Sequence, residues 1–447
     1  MSERGSFASK LGIVLATAGS AVGLGNIWRF PYETGQNGGA AFIIIYLVCI
    51  FLLGVPAMLC EFIIGRHAQA NASRAYGGMP WKLVGYVGVF TGFIIMGFYS
   101  VVAGWTLQYV YASVVGHLSG DADFFMTYFA DFTNDPVKPV LWTIAFMIVT
   151  HFIIMNGVQQ GIERASKLMM PVLFVLLVVL VICSLMLPGA MKGVDFLLRP
   201  DFSKVNHETL LDALGQTFFS LSTGMACLCT YASYFGKNIN LTRSAFQIAG
   251  IDTLVAILSG LLIFPAAFSV GIEADSGPSL IFITLPNVFQ QAFTSVPWLG
   301  YAVSIVFYLL LALAALTSII SMHETPTAFV SEELGIGRKS ASRFVTLGAM
   351  FTGALCSLSL GAVPQLQLFG KSLFDFFDFI SANILLTAGG FFTCLYVGWV
   401  LPRHIMIDEI TNGGTLRVPM LRLFIILAKY VCPIGILFIF LHQFNII

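Results

Sequence analysis

Two short runs of glycine and small polar residues interrupt otherwise apolar stretches of the chain. The first, at positions 19–26, reads GSAVGLGN, and the second, at positions 220–226, reads SLSTGMA. Such residues disfavour a continuous helix and leave backbone N–H and C=O groups without helical partners. Free carbonyl oxygens suit a small cation, and free amides at the start of a helix suit a carboxylate. The runs therefore predict binding sites, although glycines that only permit close helix packing are the alternative.

Ionisable and hydroxyl side chains also lie in apolar stretches, where such groups usually have a function. Asp252 is near the start of one stretch, and Thr317 and Ser318 are adjacent in another. The alternatives are that Asp252 lies at a loop end in water and that the two hydroxyls bond to their own helix. Arg29 follows the first glycine-rich run, where it needs either an acidic partner or a path to the lipid headgroups.

No residue arrangement typical of an enzyme is visible. His323-Glu324 lacks the HExxH spacing of a zinc hydrolase. The eight cysteines lie almost entirely in apolar stretches, so they predict neither a disulfide framework nor a metal site. The formal net charge is zero, so nothing favours a nucleic-acid partner. We therefore expect a protein that is not an enzyme and has no organic cofactor.

The elements that must position these residues are membrane-spanning helices. Hydrophobic residues make up 57% of the 447-residue chain and charged residues 10%, whereas a soluble domain devotes about a quarter of its residues to charge. Stretches of about 20 apolar residues can cross a hydrocarbon core of about 30 Å. We expect a single all-α membrane domain over residues 1–447, with a short surface stretch at 279–293. About eleven spans are expected, at 11–37, 40–64, 83–116, 140–155, 169–187, 210–235, 249–271, 298–330, 344–360, 374–401 and 421–444.

Basic residues are concentrated in alternate connections between these spans. Arg4 and Lys10 precede the first span, and further Lys and Arg residues lie in later connections on the same side. The segments 121–135 and 271–297 contain acidic residues and no Lys or Arg. By the positive-inside rule we expect a cytoplasmic N-terminus, and an odd number of spans then places the C-terminus outside. The expected location is the plasma (bacterial inner) membrane.

The two interrupted spans are the first and the sixth. Interruptions at matching places imply two five-span halves, within residues 1–187 and 209–401, with span 11 (421–444) outside the repeat. Because five is odd, the second half is inverted relative to the first. Broken helices in inverted repeats are typical of secondary transporters that bind solute near the bilayer midplane. A channel is disfavoured because no repeated polar element suggests a pore-lining ring.

The run GSAVGLGNIWRFPY at positions 19–32 resembles the first-helix signature of the neurotransmitter:sodium symporter family. The resemblance continues through NGGAAF at 37–42, GQTFF at 215–219, TYASY at 230–234 and FITLP at 282–286, and it covers nearly the whole chain. It is closest to the shorter, eleven-span bacterial branch. The resemblance implies a LeuT-type 5+5 inverted repeat, with helices one and six discontinuous, and sodium-coupled transport of an amino acid.

The resemblance implies two sodium sites. The first would use Ala21, Asn26, Ser220 and Asp252 together with the substrate carboxylate, and the second would use Gly19, Val22, Ala314, Thr317 and Ser318. Many relatives carry asparagine at position 252, so Asp252 adds a fixed negative charge beside the ion. Chloride-dependent relatives hold an anion near Tyr46, Gln216, Ser220 and a serine at position 256. Because position 256 is Ala256 here and Asp252 supplies charge, we expect transport that is independent of chloride.

The resemblance also places the substrate between the two interrupted spans. The implied binding residues are Ser20, Ala21, Leu24, Gly25, Ile95, Tyr99, Phe219, Ser222, Met225, Ser318 and Met322. The amides of Leu24 and Gly25 and the Tyr99 hydroxyl would meet the substrate carboxylate. Ser20 replaces the aspartate of aminergic relatives, which favours an amino acid over a monoamine. The apolar pocket favours a neutral hydrophobic or aromatic side chain, although Met225 and Met322 taken alone are more typical of ordinary helix packing.

Two charge pairs are implied as gates. Arg29 would pair with Asp378 above the substrate, and Arg4 would pair with Glu332 near Tyr234 on the cytoplasmic side. Surface ion pairs contribute about 0–1 kcal/mol, which suits contacts that must break in every cycle. The alternatives to sodium symport are proton coupling, given Asp252, and a sensor on the same fold that binds an amino acid without transporting it.

Overall fold

The computed structural model describes residues 5–271 and 279–443, which form a helical membrane protein. Within these ranges nine helices are long and apolar enough to cross a membrane, and a helix pair bent by 61° forms a tenth span. The predicted all-α polytopic class is confirmed. We number the spans as Lys10–Ala21 with Leu24–Gln36 (span 1), Ala40–Ala68 (2), Lys82–Val114 (3), Lys138–Met155 (4), Val158–Leu185 (5), Leu241–Ser269 (7), Pro297–Glu333 (8), Arg338–Ser359 (9), Leu373–Val400 (10) and Leu421–Gln443 (11). The predicted sixth span is two short helices, His207–Ser220 and Cys227–Ala232.

The connections contain short helices and one hairpin. The short helices are Ala72–Ala75, Ala122–Asn134, Met191–Leu198, Phe202–Lys204, Leu280–Thr284 followed by Leu285–Ala292, and Arg403–Thr411. Strands Gln367–Leu368 and Lys371–Ser372 pair antiparallel. One face of the stretch 279–293, which was expected to lie along a surface, packs into the protein: Phe282 is fully buried and packs its ring 5.6 Å from that of Trp105.

The break in span 1 leaves two residues outside the helices. The first half begins after Ser9, whose hydroxyl accepts the Gly12 N–H at 3.0 Å, and it ends at Ala21. The second half begins at Leu24, where the Asn26 side chain accepts the Gly23 N–H at 3.0 Å. A side chain therefore supplies the partner that the missing helical turn does not.

The break in span 6 is held open by left-handed backbone and by a buried carboxylate. Ser222, Gly224 and Ala226 have φ of 54°, 92° and 58°, a conformation that no helix contains. A Cβ on Gly224 would lie 2.2 Å from a backbone oxygen of span 10, so only glycine fits there. Glu61 of span 2 accepts the Gly224 N–H at 2.7 Å and the Cys229 N–H at 3.1 Å. The carboxylate thus satisfies backbone groups that the break leaves free.

Candidate functional site

A cavity of about 210 Å³ lies between the two breaks. All eleven predicted substrate-binding residues line it: Ser20, Ala21, Leu24, Gly25, Ile95, Tyr99, Phe219, Ser222, Met225, Ser318 and Met322. Residues far apart in sequence therefore surround one cavity, and its position between the two breaks suits the binding of a small solute.

One end of the cavity presents hydrogen-bond donors. The Leu24 N–H, at the start of the second half of span 1, donates to the Tyr99 hydroxyl at 3.1 Å. The next residue is Gly25, where a Cβ would lie 2.7 Å from the Phe219 ring. Glycine therefore allows the aromatic ring to approach the backbone amides closely. A helix start and a hydroxyl together suit a carboxylate.

The region around Ser20 offers oxygen atoms without a negative charge. The Ser20 hydroxyl donates to the Ser321 hydroxyl at 2.8 Å, and the Ser20 carbonyl accepts from the Ser222 hydroxyl at 2.9 Å. Among the described residues that line the cavity, the carboxylates are Asp375 and Asp378 of span 10. Carbonyl oxygens near Ser20 can hold an ammonium group, but they do not neutralise an amine that lacks its own carboxylate.

The side-chain part of the cavity is apolar. Ile95, Met225 and Met322 are all buried and face it together with Phe219. The lining residues that sequence reasoning missed include Phe98, Val102 and Phe374, which are also apolar. Methionine side chains adapt to ligands of different shape, so this part suits a large hydrophobic group.

The residues predicted for the first sodium site are in contact. The Asn26 amide nitrogen donates to Asp252 Oδ1 at 2.7 Å, to the Asp252 carbonyl at 3.2 Å and to Ser220 Oγ at 3.3 Å. Ser220 in turn donates to Asp252 Oδ2 at 2.6 Å. Three oxygen atoms, Asp252 Oδ1, the Asp252 carbonyl oxygen and Ser220 Oγ, therefore surround the Asn26 amide nitrogen. A cation at the position of that nitrogen would be coordinated by the same three oxygens. Asp252 is fully buried within span 7, so it is not a loop-end residue in water.

The residues predicted for the second sodium site also meet. The Val22 carbonyl, in the break of span 1, accepts from Thr317 at 3.4 Å and from Ser318 at 3.2 Å. Thr317 donates as well to the Ala314 carbonyl at 3.0 Å. A Cβ placed on Gly19 would lie 3.2 Å from the Thr317 side chain. Thr317 therefore bonds to its own helix, as the alternative expects, and also contacts span 1.

Two side chains of the region where relatives hold chloride are buried, Tyr46 and Gln216. The Tyr46 hydroxyl lies beside Asp252 and Ser220 without a well-aligned hydrogen bond, and neither side-chain polar atom of Gln216 has a hydrogen bond to the described residues. Position 256, where chloride-dependent relatives carry a serine, is the fully buried Ala256. Buried polar groups are normally satisfied, so Tyr46 and Gln216 are able to accept a ligand, a water molecule or a rearranged neighbour.

The outer gate differs from the expected pairing. The Arg29 side chain forms an ion pair with Glu33 at 3.4 Å, and its guanidinium carbon lies 4.7 Å from the centre of the Phe219 ring. Among the described residues, no ion pair within 4.0 Å joins Arg29 to Asp378. Instead, both residues line a second cavity of about 340 Å³ beyond Phe219. Glu33 lies one helical turn after Arg29, so its carboxylate reaches the Arg29 side chain without any movement of span 10 towards span 1.

The inner gate is described only in part. Arg4 lies outside the described residues, and Glu332 accepts the Asn71 N–H at 2.8 Å. The Tyr234 hydroxyl donates to Glu324 at 2.6 Å. Glu324 is fully buried and also pairs with Arg338 at 2.5 Å.

Sequence reasoning missed Glu61 and Glu324. Glu61 holds the break in span 6, and Glu324 joins span 8 to Tyr234 and Arg338. The available signal was the same that singled out Asp252, because each is a carboxylate within an apolar span.

Comparison with known proteins agrees with this arrangement. A family model described as the Sodium:neurotransmitter symporter family matches residues 4–124 and 117–447. The chain is 39% identical to an uncharacterized sodium-dependent transporter of Bacillus subtilis (strain 168), over 99% of this chain and 98% of that protein. It is 35% identical to one of Haemophilus influenzae, with coverage of 99% and 98%. The crystal structure of MhsT in complex with L-phenylalanine is similar with a TM-score of 0.88 and 41% identity, over 98% of this chain and 100% of that chain. The chain therefore belongs to the sodium:neurotransmitter symporter family, whose members are membrane transporters and not enzymes, and it has the LeuT-type fold.

Proposed function

We propose that this chain carries a neutral amino acid with a large hydrophobic or aromatic side chain across the membrane together with sodium. The single observation that supports this most strongly is the cavity between the two breaks. There Leu24 and Tyr99 line the same cavity as Asn26 and Ser220, whose side chains contact the carboxylate of Asp252. A molecule with a carboxylate at one end and an apolar group at the other matches this arrangement.

The proposed substrate orientation follows from the polarity of the cavity walls. The carboxylate would contact the Leu24 N–H and the Tyr99 hydroxyl, and the ammonium group would contact carbonyls near Ser20 and Ser222. The side chain would then lie against Ile95 and the two methionines. The L-phenylalanine bound to the similar MhsT supports an aromatic or large aliphatic amino acid.

Two sodium ions are proposed to accompany each substrate. The first would take the point on which the oxygens of Ser220 and Asp252 converge, after the Asn26 amide turns its oxygen inward. The substrate carboxylate would complete this site, so sodium and substrate would each raise the affinity for the other. The second ion would be held by the Gly19, Val22 and Ala314 carbonyls and by the Thr317 and Ser318 hydroxyls.

Chloride is proposed to have no role in the cycle. Asp252 already places a negative charge next to Tyr46 and Ser220, and Ala256 cannot ligate an anion. A bound chloride would therefore meet a like charge in a buried place, which is unfavourable.

Transport is proposed to occur by alternating access. Spans 1, 2, 6 and 7 would tilt against the rest of the helices, with Arg29 and Asp378 closing the outer side over Phe219. The N-terminus would lie in the cytoplasm and the C-terminus outside, as the distribution of basic residues predicts.

Uptake into proteoliposomes tests this function. A panel of radiolabelled amino acids from leucine to tryptophan would be offered under an inward sodium gradient, with an equal potassium gradient at matched pH and voltage as the control. We expect concentrative uptake with sodium only, unchanged when gluconate replaces chloride. Saturable binding without uptake would indicate a sensor, and uptake driven by a proton gradient without sodium would contradict the ion sites.

A further inference from the structure

An apolar groove of about 410 Å³ lies between the start of span 3 and the middle of span 10. It is lined by Pro80, Trp81, Leu83, Val84, Val87, Ala388, Gly389 and Phe392. Among the described residues, those that line the groove have apolar side chains apart from the indole N–H of Trp81, and none of them lines the substrate cavity. It is therefore a separate site, and its occupant must itself be apolar, because a polar group placed there would lose its hydrogen bonds to water.

The groove is continuous with the lipid-facing surface of the protein. Leu83, Phe90 and Phe392 are 52%, 52% and 44% exposed and belong to membrane spans. In a bilayer, lipid acyl chains lie against such a surface. If the groove were empty, the side chains that line it would lack van der Waals contacts on their outer side.

One end of the groove carries the residues that mark the headgroup level. Trp81 lines that end, and the next residue, Lys82, places its ammonium nitrogen 5.4 Å from the centre of the Tyr86 ring. Trp, Tyr and Lys are enriched where hydrocarbon meets headgroups. The groove therefore extends from that level into the hydrocarbon layer, as an acyl chain does.

We propose that this groove binds one acyl chain of a membrane phospholipid. The two helices that form it both touch the break in span 6. A Cβ on Gly389 would lie 2.0 Å from the Gly224 carbonyl oxygen, and one on Gly88 would lie 2.7 Å from the Ala226 Cβ. A chain seated between spans 3 and 10 thus supports the helices that flank the break. Its effect on transport rests on the proposed function, but its binding does not.

Photolabelling of the full chain in liposomes tests the proposal. The probe is a phospholipid with a diazirine in one acyl chain, and adducts are located by mass spectrometry of peptides. We expect adducts concentrated on the groove residues of spans 3 and 10. Ala388→Trp and, independently, Val87→Trp fill the groove and should abolish these adducts. Val149→Trp, at a lipid-exposed position of span 4, should leave them unchanged.

Three results would overturn the proposal. They are groove adducts no more frequent than those on span 4, groove adducts that persist in both filled variants, and labelling of the groove by a sterol probe but not by the phospholipid probe. Because adduct formation needs no transport, a protein that fails to transport but labels as expected would refute the proposed function and leave the lipid site intact.

Discussion

Neutralising Asp252 is the perturbation that most directly probes the first cation site. Its two carboxylate oxygens accept from Asn26 at 2.7 Å and from Ser220 at 2.6 Å, and the side chain is fully buried. Asp252→Asn keeps the shape and one oxygen ligand but removes the negative charge. The Ser220 hydroxyl can rotate to accept from the new amide N–H, so the main effect of the change is the loss of the negative charge beside the cation.

The expected loss follows from the difference between charged and neutral contacts. A hydrogen bond or ligand contact to a charged group contributes about 1.5–3 kcal/mol, against about 1 kcal/mol for a neutral one. We therefore expect a loss of about 0.5–2 kcal/mol in sodium binding, which corresponds to about a 2- to 30-fold higher sodium concentration for half-maximal uptake.

The assay is initial uptake of radiolabelled phenylalanine at increasing sodium, with choline as the replacement cation. Asp195→Asn serves as the matched control, because this carboxylate is on the surface helix Met191–Leu198 and pairs with Arg199. The control should leave the sodium dependence unchanged. A sodium dependence in Asp252→Asn that equals that of the control would refute the placement of Asp252 at the ion.

Three further predictions follow from neighbouring contacts. Adding Ala256→Ser to Asp252→Asn removes the fixed charge and supplies a hydroxyl, so uptake should become stimulated by chloride; uptake in chloride and in gluconate that stays equal would contradict this. Tyr99→Phe leaves the Leu24 N–H without its partner and should weaken substrate binding by about 1–2 kcal/mol, roughly tenfold, whereas an unchanged affinity in a competition assay would exclude the hydroxyl from the site. Glu61→Gln places an amide N–H against backbone donors and should cost about 2 kcal/mol, seen as a lower unfolding temperature in scanning fluorimetry; a temperature equal to that of the unmodified protein would show that the carboxylate does not hold the break.

Local sequence signals were sufficient for the two breaks, because the matching runs of glycine and small polar residues at 19–26 and 220–226 both contain one. Glycines alone do not predict a break, since span 3 contains several and is a continuous helix. The residues around the cavity came from the family resemblance. The family resemblance then identified Asn26, Asp252 and Thr317, which long-range packing brings to the two breaks.

Contacts that depend on packing between distant helices were not predictable in the same way. Which carboxylate pairs with Arg29 depends on the distance between spans 1 and 10. Arg29 and Asp378 both line the cavity beyond Phe219, and Arg29 pairs with the nearby Glu33 instead. Helix Leu280–Ala292 looks amphipathic and short, yet its aromatic side chains fill a space beside span 3. The two bonds from Glu61 to the break cannot be inferred without the relative position of spans 2 and 6.

We propose that the substrate carboxylate and a sodium ion occupy one shared site. The most direct test is equilibrium binding of phenylalanine to the purified protein at increasing sodium, alongside sodium binding at increasing phenylalanine, with phenylalanine methyl ester as the control. We predict that each ligand raises the affinity for the other by the same factor, and that the ester, which lacks the carboxylate charge, shows little of this coupling. Phenylalanine binding that is independent of sodium, or equal coupling with the ester, would contradict it.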